Sequence, residues 1–337
     1  MYLFRCIFFC LFITFFCNFT SLSQAQPARF QDDQKPGSLL IYNTYTSKVE
    51  SPDTQNTRVN ITNLGTDSVN VHWFFVDSTE CSVADAFTCL TANQTLSFFA
   101  LDYDPGVTGY IFALATDNEG FPRDYNFLVG SLFVKFASGH QANLGAESIG
   151  VVTHPIKYYP VDNTGFTQVD IAFDDDSYDR LPYELALDNI SSLRDNNETM
   201  LIINRIGGDL SNKLGSVGIL TGLLFNDVEK GFSFSIRTSG CQVRQIMTDT
   251  FPRTVPPFTK VIPSGKTGWM WIRPVETDNN SPLGGTSDRR AILGSMITYN
   301  RNARTSDRHF NQGHNLHKLS KAPFAKLRVP VYVPPSC

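Results

Sequence analysis

Leu128-Val129-Gly130-Ser131-Leu132-Phe133 returns roughly 160 residues later as Ile292-Leu293-Gly294-Ser295-Met296-Ile297. Three other stretches recur in the same order. Leu39-Leu40-Ile41-Tyr42-Asn43 matches Leu201-Ile202-Ile203-Asn204-Arg205, and Val76-Asp77-Ser78-Thr79-Glu80-Cys81 matches Ile236-Arg237-Thr238-Ser239-Gly240-Cys241. Thr108-Gly109-Tyr110 matches Thr267-Gly268-Trp269. Self-similarity in a fixed order marks a duplicated unit, so the chain reads as two copies of one domain.

Each copy reads as strands. Val69, Val71, Trp73 and Phe75 share one face of an extended segment, with Asn70 and His72 opposite. Phe232, Phe234 and Ile236 alternate with Ser233, Ser235 and Arg237 in the second copy. Turn clusters such as Asn63-Leu64-Gly65-Thr66-Asp67 and Asp102-Tyr103-Asp104-Pro105-Gly106 separate short runs. Periods near 3.6 are scarce. The expectation is an all-β chain of two tandem immunoglobulin-like β-sandwich domains related by an internal repeat, each with about seven strands. The boundaries are 1–25 for a signal peptide, 26–37 for a flexible leader, 38–160 for the first sandwich and 161–337 for the second. Lys326 to Val333 alternates too, and Pro330 and Pro334 suit an edge strand.

The start of the chain has the parts of a secretory signal. Arg5 precedes a Phe- and Leu-rich run, and Ser23-Gln24-Ala25 offers a small-residue cleavage site. No later run is long and apolar enough for a membrane helix. The expected address is the cell envelope or beyond: secreted, periplasmic or on the cell surface. Cysteine use fits export, because Cys81, Cys89, Cys241 and Cys337 remain after cleavage. Four cysteines permit three pairings. The expected one is Cys81–Cys89 with Cys241–Cys337, and the alternative is that some stay free and buried.

The chain has 28 basic and 32 acidic residues, a net charge of −4, which argues against general nucleic-acid binding. The charge is uneven. Asp170 to Glu198 is acidic, whereas Arg301 to Arg328 is basic. The two regions either pair with each other or present separate faces, the basic one suited to an anionic glycan or envelope surface.

Candidate sites are few. His309, His314 and His317 fall close together and could converge on a transition metal. Asp174, Asp176 and Asp179 offer hard oxygen ligands for calcium, without the spacing of an EF-hand. The plain alternatives are an exposed basic loop and a solvated acidic turn, so the expected cofactor set is none, with calcium the one candidate. Gly-x-Ser-x-Gly is absent, and no carboxylate pair is singled out for glycoside hydrolysis. Trp73, Tyr110, Trp269 and Trp271 suit sugar stacking, yet their alternating strands favour the core.

Further stretches carry a resemblance. His72-Trp73-Phe74-Phe75-Val76-Asp77, Cys81-Ser82-Val83-Ala84-Asp85 and Gly139-His140-Gln141-Ala142-Asn143-Leu144-Gly145-Ala146-Glu147 resemble exported bacterial proteins of unknown function. Arg180-Leu181-Pro182 and Asn204-Arg205-Ile206-Gly207-Gly208-Asp209-Leu210 are similar to the same group. The resemblance implies a bacterial, exported β-protein and brings no catalytic residues. The expected function is a non-enzymatic surface or matrix protein that binds a protein or glycan partner. The alternatives are a secreted polysaccharide-acting hydrolase and a structural surface-layer subunit.

Overall fold

A computed structural model describes residues 35–160, 167–275, 290–302 and 311–337. The expected signal segment, residues 26–34 of the leader and His309 lie outside the described residues. The alternating runs are strands, as their period requires: in Asn56–Asn63 the side chains of Thr57, Val59 and Ile61 are buried and Arg58 is exposed.

The first nine strands are β1 Leu39–Thr46, β2 Asn56–Asn63, β3 Val69–Asp77, β4 Val83–Leu90, β5 Thr95–Phe99, β6 Thr108–Thr116, β7 Leu128–Lys135, β8 Gln141–Gly145 and β9 Glu147–Ile149. They form sheet I, in the order β4-β3-β6-β1-β9, and sheet II, β5-β2-β7-β8. Then come β10 Tyr159–Pro160, β11 Gln168–Phe173, β12 Pro182–Ser191, β13 Asn197–Ile206, β14 Gly208–Asp209, β15 Gly218–Phe225, β16 Gly231–Thr238, β17 Gln242–Ile246, β18 Thr267–Pro274, β19 Ala291–Asn300, β20 Gln312–Asn315, β21 His317–Lys321 and β22 Ala325–Pro330. Sheet III is β10-β11-β22-β14, sheet IV is β16-β15-β18-β12-β21 and sheet V is β17-β13-β19-β20.

The strand orders of sheets I and II recur in sheets IV and V. β12, β13, β15, β16, β17, β18, β19, β20 and β21 stand where β1 to β9 stand in the first pair. Each leading strand carries the same irregularity, a bulge between Tyr42 and Tyr45 in β1 and between Leu187 and Ile190 in β12. Opposite each bulge lies a glycine that tolerates no side chain. A Cβ on Gly109 would meet Val76 O at 1.7 Å, and one on Gly268 would meet Phe225 O at 2.4 Å. That close approach explains the recurring Thr-Gly-aromatic motif.

The chain is all-β, as its strand signals imply, but its sheets do not follow the immunoglobulin pattern. That pattern seats the first strand beside the second and the last beside the sixth. Here β1 pairs with β6 and β7 pairs with β2. There are also five sheets rather than four, the number of blades in a five-bladed propeller. The chain does not finish one sheet before starting the next, because β1, β2 and β3 pass from sheet I to sheet II and back. β22 is not an edge strand. It lies between β11 and β14, antiparallel to the first and parallel to the second. Pro330 sits at its end, where a missing N–H costs least.

Three cores hold the sheets. Tyr42, Val59, Trp73, Ile111 and Leu132 lie between sheets I and II. Leu187, Ile203, Leu220, Met270 and Ile292 lie between sheets IV and V. Sheet III covers the outer face of sheet I, where Ile41, Phe74, Tyr110 and Phe112 meet Val169, Ile171, Phe173 and Leu327.

Acidic and basic stretches meet rather than facing outward separately. Arg328 Nε is 2.8 Å from Asp170 Oδ1, Lys321 Nζ is 3.2 Å from Asp175 Oδ2, and Arg301 Nη2 is 3.6 Å from Glu198 Oε1. Lys318 pairs with the buried carboxylate of Glu147.

The cysteines pair differently from expectation. Cys89 on β4 is bonded to Cys337, and Cys81 and Cys241 are free and buried. The proximity of Cys81 and Cys89 in sequence misleads, because Cys81 lies before β4 while Cys89 lies near its far end. Cys81 instead meets Cys241. Their hydrogen bond, followed by burial, holds the Cys241 thiol far above its ordinary range. Among the described residues no helix is long and apolar enough to cross a membrane.

Candidate functional site

Strand pairing assembles one face from residues far apart in sequence. On the outer side of sheet IV, Phe225 of β15 lies opposite Trp269 of β18. In the next row Ser233, Leu223, Trp271, Ala186 and His317 lie side by side on successive strands. A third row holds Ser235, Thr221 and Arg273. The alternate residues Leu224, Met270 and Ile272 point the other way into the core. The face is the outward half of ordinary strand alternation, but three of its outward residues, Phe225, Trp269 and Trp271, are aromatic.

The Phe225 and Trp269 rings stack at a centroid distance of 4.4 Å and an interplanar angle of 9°. Trp269 is 40% exposed. The Arg273 guanidinium carbon lies 5.3 Å from the Trp271 ring centroid, and Arg273 Nη1 donates to Glu184 Oε1 at 3.2 Å. The result is a flat apolar strip with a cation over one end and serine and threonine hydroxyls beside it. The expectation that all four candidate stacking residues belong to the core holds for Trp73 and Tyr110, both 0% exposed, and fails for Trp269 and Trp271. Alternation alone cannot tell which sheet face is covered, because that depends on a partner sheet elsewhere in the chain.

At the edge of this face the bulge of β12 turns Asp188 outward, and Asn189 takes a left-handed φ of 49°. Asp188 Oδ1 is 3.3 Å from His314 Nε2 and 3.2 Å from His317 Nε2. β20 and β21 carry the two histidines, with Leu316 alone between the strands. Leu316 is buried, and its N–H donates to Gly294 O at 2.9 Å. The chain therefore crosses from sheet V to sheet IV at this point, with one histidine on each sheet. His314 and His317 do come together, as their spacing suggests. They do so across a strand crossing. The third member is Asp188, which sequence reasoning missed; the bulge that exposes it leaves little trace in composition.

The other expected ligands do not converge. Asp174 Oδ1 accepts from the Asp176 and Ser177 backbone N–H groups. Asp176 accepts from Lys157 Nζ at 2.6 Å, which holds its carboxyl below the usual range. Asp179 accepts from Gly150 N and Lys35 Nζ. Each carboxylate serves its own turn or ion pair, so the calcium set is not assembled. A separate hollow of about 370 Å³ on the outer face of sheet II is lined by Pro52, Asn56, Arg58, Phe99, Phe133 and Lys135.

No protein-family model matches the chain, and no curated protein matches it. Among solved structures, a GH78 family rhamnosidase of Bacillus sp. GL1 aligns at 12% identity with a TM-score of 0.16. The alignment covers 88% of this chain and 37% of that one, so the chain spans little more than a third of that enzyme's length. A likeness that slight carries no argument about fold or activity.

Proposed function

We propose that this is an exported, non-catalytic binding protein of the cell surface or matrix, and that it holds a glycan on the outer face of sheet IV. The observation that carries the reading is the open aromatic strip of Phe225, Trp269 and Trp271. Trp269 is exposed and Phe225 and Trp271 are half-buried beside it, and contiguous apolar surface of this kind can mark an interaction site. A flat π-face with a polar rim suits a ring that is apolar on one face and hydroxylated at its edge. Ser233, Ser235, Thr221 and the Arg273–Glu184 pair supply that rim. The disulfide between Cys89 and Cys337 fits an oxidising compartment. The recurrence of strand order supports reading sheets I and II, and sheets IV and V, as two copies of one sandwich.

The test is retention of the chain on immobilised polysaccharides, with a glycan array to name the class. Wild type should be retained, and Trp269→Ala and Trp271→Ala should each weaken binding at least about tenfold, the loss of roughly 1.4 kcal/mol. Binding to a protein partner with no glycan signal would move the reading to a protein-docking face. Released reducing sugar that vanishes on Glu184→Gln would favour the hydrolase alternative.

A further inference from the structure

We propose that Asp188, His314 and His317 form a binding site for one divalent transition-metal ion, with zinc the best match. Such a site would function whether or not the aromatic face holds a glycan. His314 Nδ1 lies 2.8 Å from Asn315 O. A carbonyl oxygen only accepts, so Nδ1 carries the proton, and a neutral His314 presents the lone pair of Nε2. That lone pair faces the Asp188 carboxylate at 3.3 Å. Two acceptors at that distance repel unless a proton or a metal cation sits between them. His317 Nε2 approaches the same oxygen at 3.2 Å, and all the ligand atoms lie within 4.8 Å of one another.

The spacing fits a small tetrahedral ion. Bonds of about 2.0–2.1 Å to imidazole and carboxylate give ligand–ligand edges of about 3.3 Å. The two edges to Asp188 are 3.3 and 3.2 Å, and the third, between the imidazoles, is within 4.8 Å. Two imidazoles and one carboxylate select a borderline metal over calcium or magnesium, which take oxygen ligands. The ligands also have support. Asn315, whose carbonyl orients His314, is itself fixed: its Nδ2 donates to Gly145 O at 2.8 Å, and its Oδ1 accepts from Ser295 Oγ at 2.8 Å. An outer contact that fixes the tautomer of a ligating histidine is a regular feature of metal sites.

The matching corner of the other unit shows what is special here. The bulge residue there is Asn43, and strand register sets Leu144 and Glu147 at the places of His314 and His317. Asn43 is buried there, donating to Gly294 O and Asn315 Oδ1, both at 3.1 Å. The metal-ligand set belongs to the exposed corner alone. Three protein ligands leave a fourth position open. The site borders the aromatic face, since His317 and Trp271 flank Ala186 in one row, roughly 10 Å apart at two strand spacings.

The experiment uses the untagged chain, freed of metal with a chelator and then titrated with cobalt(II) and zinc(II) in excess magnesium. Tetrahedral cobalt absorbs visibly, so site geometry and stoichiometry are read together, and zinc should displace it. One equivalent is expected for wild type. Asp188→Asn should weaken binding at least tenfold, and the double variant His314→Ala/His317→Ala should abolish it. All three residues are surface groups, and unchanged unfolding midpoints in chelator will show that the variants fold. No uptake by wild type would overturn the proposal and leave the cluster as an imidazolium–carboxylate contact. Equal stoichiometry and affinity in the double variant would also overturn it, placing the metal on other histidines.

Discussion

The outer faces of sheets I and IV occupy the same place in two units of the same strand order, yet one is core and the other is open. Tyr110, Phe112 and Leu114 on β6 stand in register with Trp269, Trp271 and Arg273 on β18, because Gly109 and Gly268 fix the alignment at the bulge. Sheet III lies over the first set and buries it. Among the described residues no sheet lies over the second. Burial of an outward aromatic is therefore decided by the strands that follow it, not by its own strand. A chain that keeps aromatics on an uncovered face retains an apolar surface that packing within the fold does not explain.

Paired truncations at the matching position are the strongest way to break this contrast. Tyr110 is fully buried and its Oη donates to Arg205 O at 2.9 Å. Tyr110→Ala opens a cavity and strands that carbonyl, so it should cost about 3–5 kcal/mol of unfolding free energy. Trp269→Ala removes a larger side chain from an exposed face and should cost about 1 kcal/mol or less. Denaturant unfolding measures both. Equal losses would mean that the face of sheet IV is covered in solution.

The same contrast shows what the sequence makes legible. Of the four recurring stretches, Thr108-Gly109-Tyr110 with Thr267-Gly268-Trp269, and Leu128 to Phe133 with Ile292 to Ile297, fall on matching strands, β6 with β18 and β7 with β19. Both contain a glycine that a neighbouring group forbids from carrying a side chain; at Gly130 and Gly294 the obstacles are Tyr42 Oη and Ile202 O. The other two matches are not copies. Leu39 to Asn43 lies on β1 and Leu201 to Arg205 on β13, whose counterpart is β2. The segments touch instead: Asn204 Nδ2 donates to Asn43 O at 2.8 Å. Cys81 and Cys241 likewise meet across the interface. Strands buried on both faces read as continuous apolar runs and carry no register, whereas a steric demand for glycine does. The His314–His317 pair was visible in spacing. Asp188 and the open face were not, because both depend on contacts between distant strands.

The two units are also joined differently at their edges. The bond from Cys89 to Cys337 ties the segment after β22 back to β4 of the first unit, with a sequence separation of 248. A cross-link closing so long a loop should contribute about 2–5 kcal/mol. Cys89→Ser/Cys337→Ser should lower the denaturant midpoint accordingly. Peptide mapping without reduction should show this link, and the buried Cys81 and Cys241 thiols should react only after unfolding. A Cys81–Cys89 peptide would contradict the architecture at β4.

The smallest expected effect separates the units by pH. His72 and His140 are buried in the first unit. Burial pulls both imidazoles below their ordinary value, against the opposing pull of Asp85 on His72 and of Glu198 on His140. His72 lies between Phe74 and Phe87, each ring centroid 4.0 Å away. His140 makes both its bonds as a neutral ring, to Ser138 Oγ and Glu198 O, each at 2.9 Å. Below the ordinary histidine value of about 6.5 the unfolded chain binds protons that these two native rings refuse. Stability is therefore complete above about pH 6.5 and falls as the pH drops toward the depressed native values. His314 and His317 are partly exposed on the second unit and lack that burial. The unfolding midpoint should fall from pH 7.5 to pH 5, and His140→Gln should flatten the slope even though it lowers the midpoint itself. A slope that survives in His140→Gln and vanishes in His317→Gln would place the acid sensitivity at the open corner and reverse the comparison.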